Sequence, residues 1–258
     1  MDNNDELRDF DPLDSKPINK KSMVMFFLVD TSESMKGKKI KDVNESIKET
    51  LDILKDKNDS NAELKYAILT FSSGCKWLTK EPVLLEENME WTDLTAGGIT
   101  DLGLACEELT SKLSRSSFLK SPSLSYAPVI YLLSDGYPTD NYKKGLEKLE
   151  KNKWYEYGIK VALGIGDNFN RGVLEEFTHN RELVLTAKNR YQLKKLIRDI
   201  AVTSSQIGSK SMSLVNGEEK ELNVDDVIGC KQKQLQESVK DIIDDEGFDD
   251  PDLSEGWD

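Results

Sequence analysis

The chain has 258 residues, enough for one large α/β domain with tails or for two small domains. It carries 35 Lys and Arg against 48 Asp and Glu, a net charge of −13, which argues against a nucleic-acid backbone or an anionic membrane as the main partner, because both select a basic face. Residues 237–258 hold ten acids and a single base, Lys240, so −9 of the total belongs to this tail.

Residues 1–21 lack periodicity and contain Pro12 and Pro17, the pattern of a mobile arm. From residue 23 onward, apolar runs alternate with amphipathic stretches, which is how βαβ units read in sequence. MVMFFLVD (23–30) suits a strand buried on both faces. Ile40, Val43, Ile47, Leu51 and Leu54 then recur at helical spacing, predicting a helix with one buried stripe. ELKYAILTFS (63–72) reads as a second strand, and 75–85 as a hairpin-like edge strand. A helix is predicted over about 101–115, a buried strand at PVIYLLSD (128–135) and a helix near 141–153. GIKVALGIG (158–166), ELVLTA (182–187) and a helix over about 191–204 complete the pattern. The expected architecture is a doubly wound, mostly parallel six-stranded sheet with helices on both faces, formed by residues 22–205. Residues 206–236 read as an extension and 237–258 as an acidic, disordered tail.

Cys75, Cys106 and Cys230 are widely spaced, and His179 is the only histidine. With no CxxC or Cys/His pair, a Cys/His zinc site is excluded and a disulfide framework is not expected. The opening MDNNDELRDFDPLD has neither the basic nor the apolar region of a secretory signal. No apolar run reaches the length of a membrane span. These features point to a reduced, cytoplasmic protein.

In open α/β sheets, ligands bind beyond the carboxyl ends of the strands. Three such segments carry oxygen donors: Asp30-Thr31-Ser32-Glu33-Ser34, Gly97-Gly98-Ile99-Thr100-Asp101-Leu102-Gly103, and Leu133-Ser134-Asp135-Gly136. The two glycines of the second segment are expected to allow close backbone approach. Asp30 and Asp135 with the hydroxyls of Ser32, Ser34 and Thr100 make a hard, all-oxygen set suited to Mg²⁺ or Mn²⁺. A site rich in neutral hydroxyls leaves the cation with residual charge, which favours an anionic ligand such as a partner's carboxylate. Asp30 is expected at a solvent-facing strand end. Asp101 reads as a helix-start residue favoured by the macrodipole, Glu33 as a rim residue and His179 as a surface histidine. Trp77, Trp91 and Trp154 read as packing residues.

The DxSxS segment, GGITDLG before a helix, and LLSDG at a strand end resemble, in this order, the signature of the von Willebrand factor A domain and its metal-ion-dependent adhesion site. The resemblance covers residues 22–205 and is closest to bacterial cytoplasmic proteins of the tellurite-resistance-associated type. It implies that Ser32 and Ser34 bind metal directly, that Thr100 binds directly or through water, and that Asp30 and Asp135 act through bridging waters. It implies Mg²⁺, with Mn²⁺ or Ca²⁺ as substitutes. It further implies a non-enzymatic interaction module working beside a protein kinase or metal-dependent protein phosphatase in stress response or signalling, or within a metal-chelatase-like assembly. The cysteine-rich extension of some relatives has no counterpart here, since only Cys230 lies beyond the domain.

The alternative is a Mg²⁺-dependent phosphohydrolase with haloacid-dehalogenase-like chemistry. That reaction needs an acid/base Asp two positions after the nucleophile, where this chain has Ser32. Phe248, Leu253 and Trp257 punctuate the acidic tail and read as anchors of a docking peptide, with a merely solubilising tail as the competing reading.

Overall fold

Strand β1 (Lys21–Asp30) is apolar at every position from Met23 to Val29, and its two-residue period divides those side chains between two cores. Met23, Met25, Phe27 and Val29 enter one, while Val24, Phe26 and Leu28 enter the other. Such a strand must be covered on both faces, and the helices supply the cover. The computed structural model describes residues 21–56, 62–87, 90–119 and 125–210, with residues 233, 234 and 237. The N-terminal arm and the tail residues Phe248, Leu253 and Trp257 lie outside the described residues.

The elements follow as α1 (Lys38–Asp56), β2 (Ala62–Ser72), β3 (Gly74–Trp77), β4 (Val83–Leu84), α2 (Leu102–Lys112), β5 (Val129–Ser134), α3 (Tyr142–Glu150), α4 (Lys153–Tyr157), β6 (Ile159–Ile165), α5 (Arg171–Thr178), β7 (Val184–Ala187) and α6 (Arg190–Lys210). The sheet runs β3-β2-β1-β5-β6-β7, with β4 also paired to β2. β2, β1, β5, β6 and β7 are parallel, whereas β3 and β4 are antiparallel to β2. The chain therefore winds outward in opposite directions from the β1/β5 pair, which is the topological switch point of the sheet. The two strands are in register from Met25↔Val129 to Val29↔Leu133, so Asp30 follows directly on one and the Ser134-Asp135 end on the other.

The first core lies under α1 and α6. All five stripe residues of α1, from Ile40 to Leu54, join it, together with Leu193, Leu196, Ile197 and Ile200 of α6. Buried Asn44 interrupts this apolar face of α1 with a purpose. It donates to Ile40 O and Leu94 O, and accepts from Leu94 N and Trp91 Nε1. With its amide satisfied, it holds the 91–94 segment against the helix at little desolvation cost. The second core contains Leu102, Ala105, Cys106 and Leu109 of α2, Leu146 and Leu149 of α3, and Val173, Leu174 and Phe177 of α5. Trp77 closes its edge against Phe26 and Phe118.

The expected architecture is present, with four local differences. The single edge strand expected over 75–85 is two short strands on β2, giving seven strands; between them the Thr79 hydroxyl, not a backbone carbonyl, accepts Ile68 N, and Pro82 has no N–H to donate. The helix expected near 141–153 breaks at Asn152, whose carboxamide oxygen accepts from Trp154 N and Tyr155 N and starts α4. α5 was not expected: its eight residues offer only Val173, Leu174 and Phe177 as periodic signal, and it ends at His179 in the left-handed conformation (φ 54°). α6 continues six residues past the expected end at 204, to Lys210.

Lys160 on β6 is 4% exposed. Its ammonium donates to Tyr155 O and Glu156 O at the end of α4 and lies over the Tyr155 ring. Burial lowers its pKa to about 8, below the ordinary 10.5 of an unfolded lysine. The stability linked to this group is present above the unfolded value and is lost as pH falls through about 8. Buried Cys106 acts in the opposite sense, since burial raises its pKa, so a direct comparison isolates the lysine. Denaturant melts of wild type and Lys160→Met at pH 7 and pH 10.5 should show wild type gaining on the variant by roughly 2–3 kcal/mol at the higher pH. A constant difference would mean that Lys160 titrates normally.

Candidate metal centre

Asp30 ends β1 completely buried, contrary to the expectation of a solvent-facing carboxylate. Burial raises its pKa above the ordinary value. Hydrogen bonds from Ser134 and Ser32 work against that rise, and the nearby charge of Asp135 adds to it. Oδ1 accepts the backbone N–H of Ser32 at 2.8 Å, and Oδ2 accepts the Ser134 hydroxyl at 2.6 Å. Ser134 Oγ accepts Gly136 N in turn at 2.8 Å, so one hydroxyl ties the ends of β1 and β5 together. Asp30 is thus a structural anchor as well as a candidate ligand.

After Asp30 the chain enters a 3₁₀ turn over Glu33–Met35. That turn puts Ser32 Oγ and Ser34 Oγ 3.1 Å apart, one buried and the other exposed. Glu33 points outward and pairs with Lys36. The glycine segment locks onto this turn: Gly97 N donates to Thr31 O, and Glu33 N donates to Gly98 O. Only Gly98 is conformationally demanding. Its φ is +86°, and a Cβ there would come within 2.5 Å of Ser73 Oγ, whereas one at Gly97 would make ordinary contact.

Thr100 is buried behind this lock. Its N–H donates to Thr139 Oγ1 and its carbonyl accepts Thr139 N, which joins it to the loop after β5. Its own hydroxyl makes no hydrogen bond among the described residues. Asp101 precedes α2, but its carboxylate accepts Gly74 N and does not cap the helix. Asp140 supplies the cap from another loop, accepting Gly103 N and Leu104 N.

Asp135 is 2% exposed and differs from Asp30 in having an incomplete set of partners. Among the described residues Oδ1 is buried without a hydrogen-bond partner, and Oδ2 faces Lys39 Nζ at 3.8 Å. A buried carboxylate oxygen in that condition is costly unless a cation or donor completes it. The five sequence candidates Asp30, Ser32, Ser34, Thr100 and Asp135 therefore occupy interlocked loops at the carboxyl ends of the central strands and beside them. Their chemistry fits a hard divalent cation. Among the described residues no group of three or more His, Cys, Asp or Glu side chains forms a rival metal cluster. Ser134, Thr139, Asp140 and Lys39 complete the site and were not foreseen. Only Ser134 carried a visible signal, lying inside the quoted LLSDG segment.

The family model described as von Willebrand factor type A domain matches residues 25–199. The chain belongs to that family. Domains of this kind commonly carry a divalent-metal site, the metal-ion-dependent adhesion site (MIDAS), that mediates protein–protein contact. Among curated proteins none matches the sequence. Among solved structures, proximal thread matrix protein 1 from the mussel byssus is similar at 20% identity over 70% of this chain and 48% of that chain, with a TM-score of 0.54. A von Willebrand factor type A protein from Catenulispora acidiphila matches at 15% identity over 72% and 43% (TM-score 0.53). The ArnB paralog VWA2 from Sulfolobus acidocaldarius matches at 22% over 70% and 46% (TM-score 0.52). This chain spans less than half of each of these three, and at such identities the likeness establishes the fold alone. One structure of the mussel protein has a zinc-occupied MIDAS motif.

Ser134→Ala strips Asp30 of a hydrogen bond inside the protein. Asp30's folded pKa is already raised, so its stabilising contribution is present below the unfolded value and lost as pH rises through the folded one. The variant raises the folded value further. In chelator at pH 7 it should therefore lose about 1–3 kcal/mol of stability, with a smaller loss at pH 4.5. Equal losses at both pH values would show that Ser134 matters only through Gly136.

Proposed function

We propose that this von Willebrand factor type A domain is a protein-interaction module whose Asp30, Ser32, Ser34, Thr100 and Asp135 hold a divalent cation that receives a carboxylate from a partner. The observation that carries the reading is Asp135: its Oδ1 is buried and has no hydrogen-bond partner among the described residues, beside a hydroxyl pair and a second carboxylate whose two oxygens are both satisfied. When bound, the cation supplies a position that attracts an external anion. The protein's part is to present neutral hydroxyls that leave most of the positive charge uncompensated. Mg²⁺ is the assignment that the all-oxygen set favours, with Mn²⁺ or Ca²⁺ able to substitute.

The surroundings support a protein partner. Ile99, Leu104 and Tyr137 are three of the four exposed large apolar side chains among the described residues. One adjoins Thr100, one lies in the first turn of α2, and one is two residues beyond Asp135. A cleft of about 400 Å³ adjoins the turn after Asp30 through Thr31 and is lined also by Thr70, Lys76, Thr92, Asp93 and Thr95, among others. An acidic side chain flanked by apolar residues meets both the charge and the rim.

The resemblance of GGITDLG to the tellurite-resistance-associated group supports a bacterial, cytoplasmic setting, and a partner linked to a protein kinase or metal-dependent phosphatase in stress response or signalling. No described helix is long and apolar enough to cross a membrane. We read the module as one that binds without turnover: Ser32 stands where a phosphohydrolase needs its acid/base aspartate, and its hydroxyl contacts Ser34.

Calorimetric titration of Mg²⁺ should show binding to wild type that is lost in the Ser32→Ala/Ser34→Ala double variant. Equal binding by both would place the metal elsewhere. With Mg²⁺ present, an immobilised peptide with one Glu between apolar residues should retain the domain, and its Gln counterpart should not. Retention that persists in EDTA, or sustained phosphoester hydrolysis lost in Asp30→Ala, would overturn the reading.

A further inference from the structure

Lys39 stands where helix electrostatics disfavour a cation. It lies in the first turn of α1, which contains no acidic residue, and the helix dipole there is positive. Its side chain does not turn into open solvent: it is 21% exposed, and its ammonium lies 3.8 Å from Asp135 Oδ2. That distance is too long for a hydrogen bond but within ion-pair range. Asp30 has no ion-pair partner, and Asp135 has only Lys39, among the described residues. The site thus brings together two buried carboxylates and one tethered ammonium.

The route of the side chain is built into the sheet edge. Gly166, just after β6, has φ +92°, and a Cβ there would approach Lys39 Cε to 3.1 Å and Nζ to 3.4 Å. The bare backbone leaves a lane for the lysine stem, and the left-handed conformation excludes most replacements. Gly166 N is itself held by Ala187 O, so this wall of the lane is fixed by the neighbouring strand end.

From this arrangement we infer that Lys39 is an internal competitor of the divalent cation, one that partly neutralises Asp135 in the metal-free domain and holds metal affinity down. The inference rests on the metal-centre reading above and names how that site is tuned. A divalent cation entering the site must share Asp135 with a fixed positive charge or push the ammonium aside. A carboxylate delivered by the partner offsets that repulsion, so Lys39 makes metal and partner bind cooperatively. It is a positioning and tuning residue, not a ligand.

The test uses Mn²⁺ alone, followed by electron paramagnetic resonance, on the full chain. Lys39→Met keeps the apolar stem and removes the charge, and Lys39→Arg keeps the charge. Lys39→Met should bind Mn²⁺ about tenfold more tightly than wild type, a difference of about 1.4 kcal/mol, and Lys39→Arg should stay near the wild-type affinity. In EDTA, Lys39→Met should melt below wild type, because the carboxylates lose their counter-charge. In saturating Mn²⁺ that deficit should close. Wild-type binding with unchanged or weaker affinity in a folded Lys39→Met would overturn the competitor role alone. If Lys39→Met does not fold, tight Mn²⁺ binding by Lys39→Arg, about tenfold above wild type, overturns it in the same way. Absence of Mn²⁺ binding in wild type and variants alike would overturn the metal centre and this inference together.

Discussion

Two carboxylates are buried at the ends of neighbouring parallel strands, and much of the surrounding structure can be read as a response to the cost of placing them there. An ionised carboxylate removed from water needs hydrogen bonds or an opposite charge. Asp30 receives two hydrogen bonds, from Ser32 N and the Ser134 hydroxyl. Among the described residues Asp135 receives none at its buried Oδ1 and a distant ammonium at the other oxygen. The asymmetry makes Asp30 the fixed member and Asp135 the member with unmet bonding capacity.

The switch point of the sheet explains why the pair exists. Because the chain leaves β1 toward β2 on one side and enters β5 on the other, the loops after these two strands lead away in opposite directions, the place at which open α/β sheets form their ligand crevice. The walls are then fixed by contacts between loops. Residues 97–98 bond to 31–33, Thr100 bonds to Thr139, and Asp140 caps α2 from the far loop. These bonds place the hydroxyls of Ser32 and Thr100 on rigid supports, the condition under which a site built from few ligands can hold its shape.

The cores serve this edge indirectly. Apolar side chains on both faces of β1 and β5 hold the strand ends in register, from Met25↔Val129 to Val29↔Leu133. A slip of one residue would turn each side chain to the opposite face and carry Asp30 away from Ser134. The family likeness fits this division of labour. Structures no more than 22% identical retain the fold, whereas the residues at the strand ends decide what the fold can bind.

The sequence by itself determined the class of the fold and the candidate donors. Strands buried on both faces need continuous apolar runs, and the α1 stripe repeats at helical spacing, so β1, β2, β5, β6 and α1 were legible from composition and period alone. DxSxS, GGITDLG and LLSDG were legible because each stands in a turn after a strand or before a helix. Short and interrupted helices were less legible: α5 has only eight residues and three core positions, and the break at Asn152 is set by a side-chain cap within an otherwise helical pattern. Contacts distant in sequence were not legible at all. The burial of Asp30, its bond to Ser134 across 104 residues, the cap supplied by Asp140 and the reach of Lys39 to Asp135 were decided only by the tertiary structure. Local propensity records what a residue does with its chain neighbours, whereas the partners of a buried charge are chosen by strand order and loop packing.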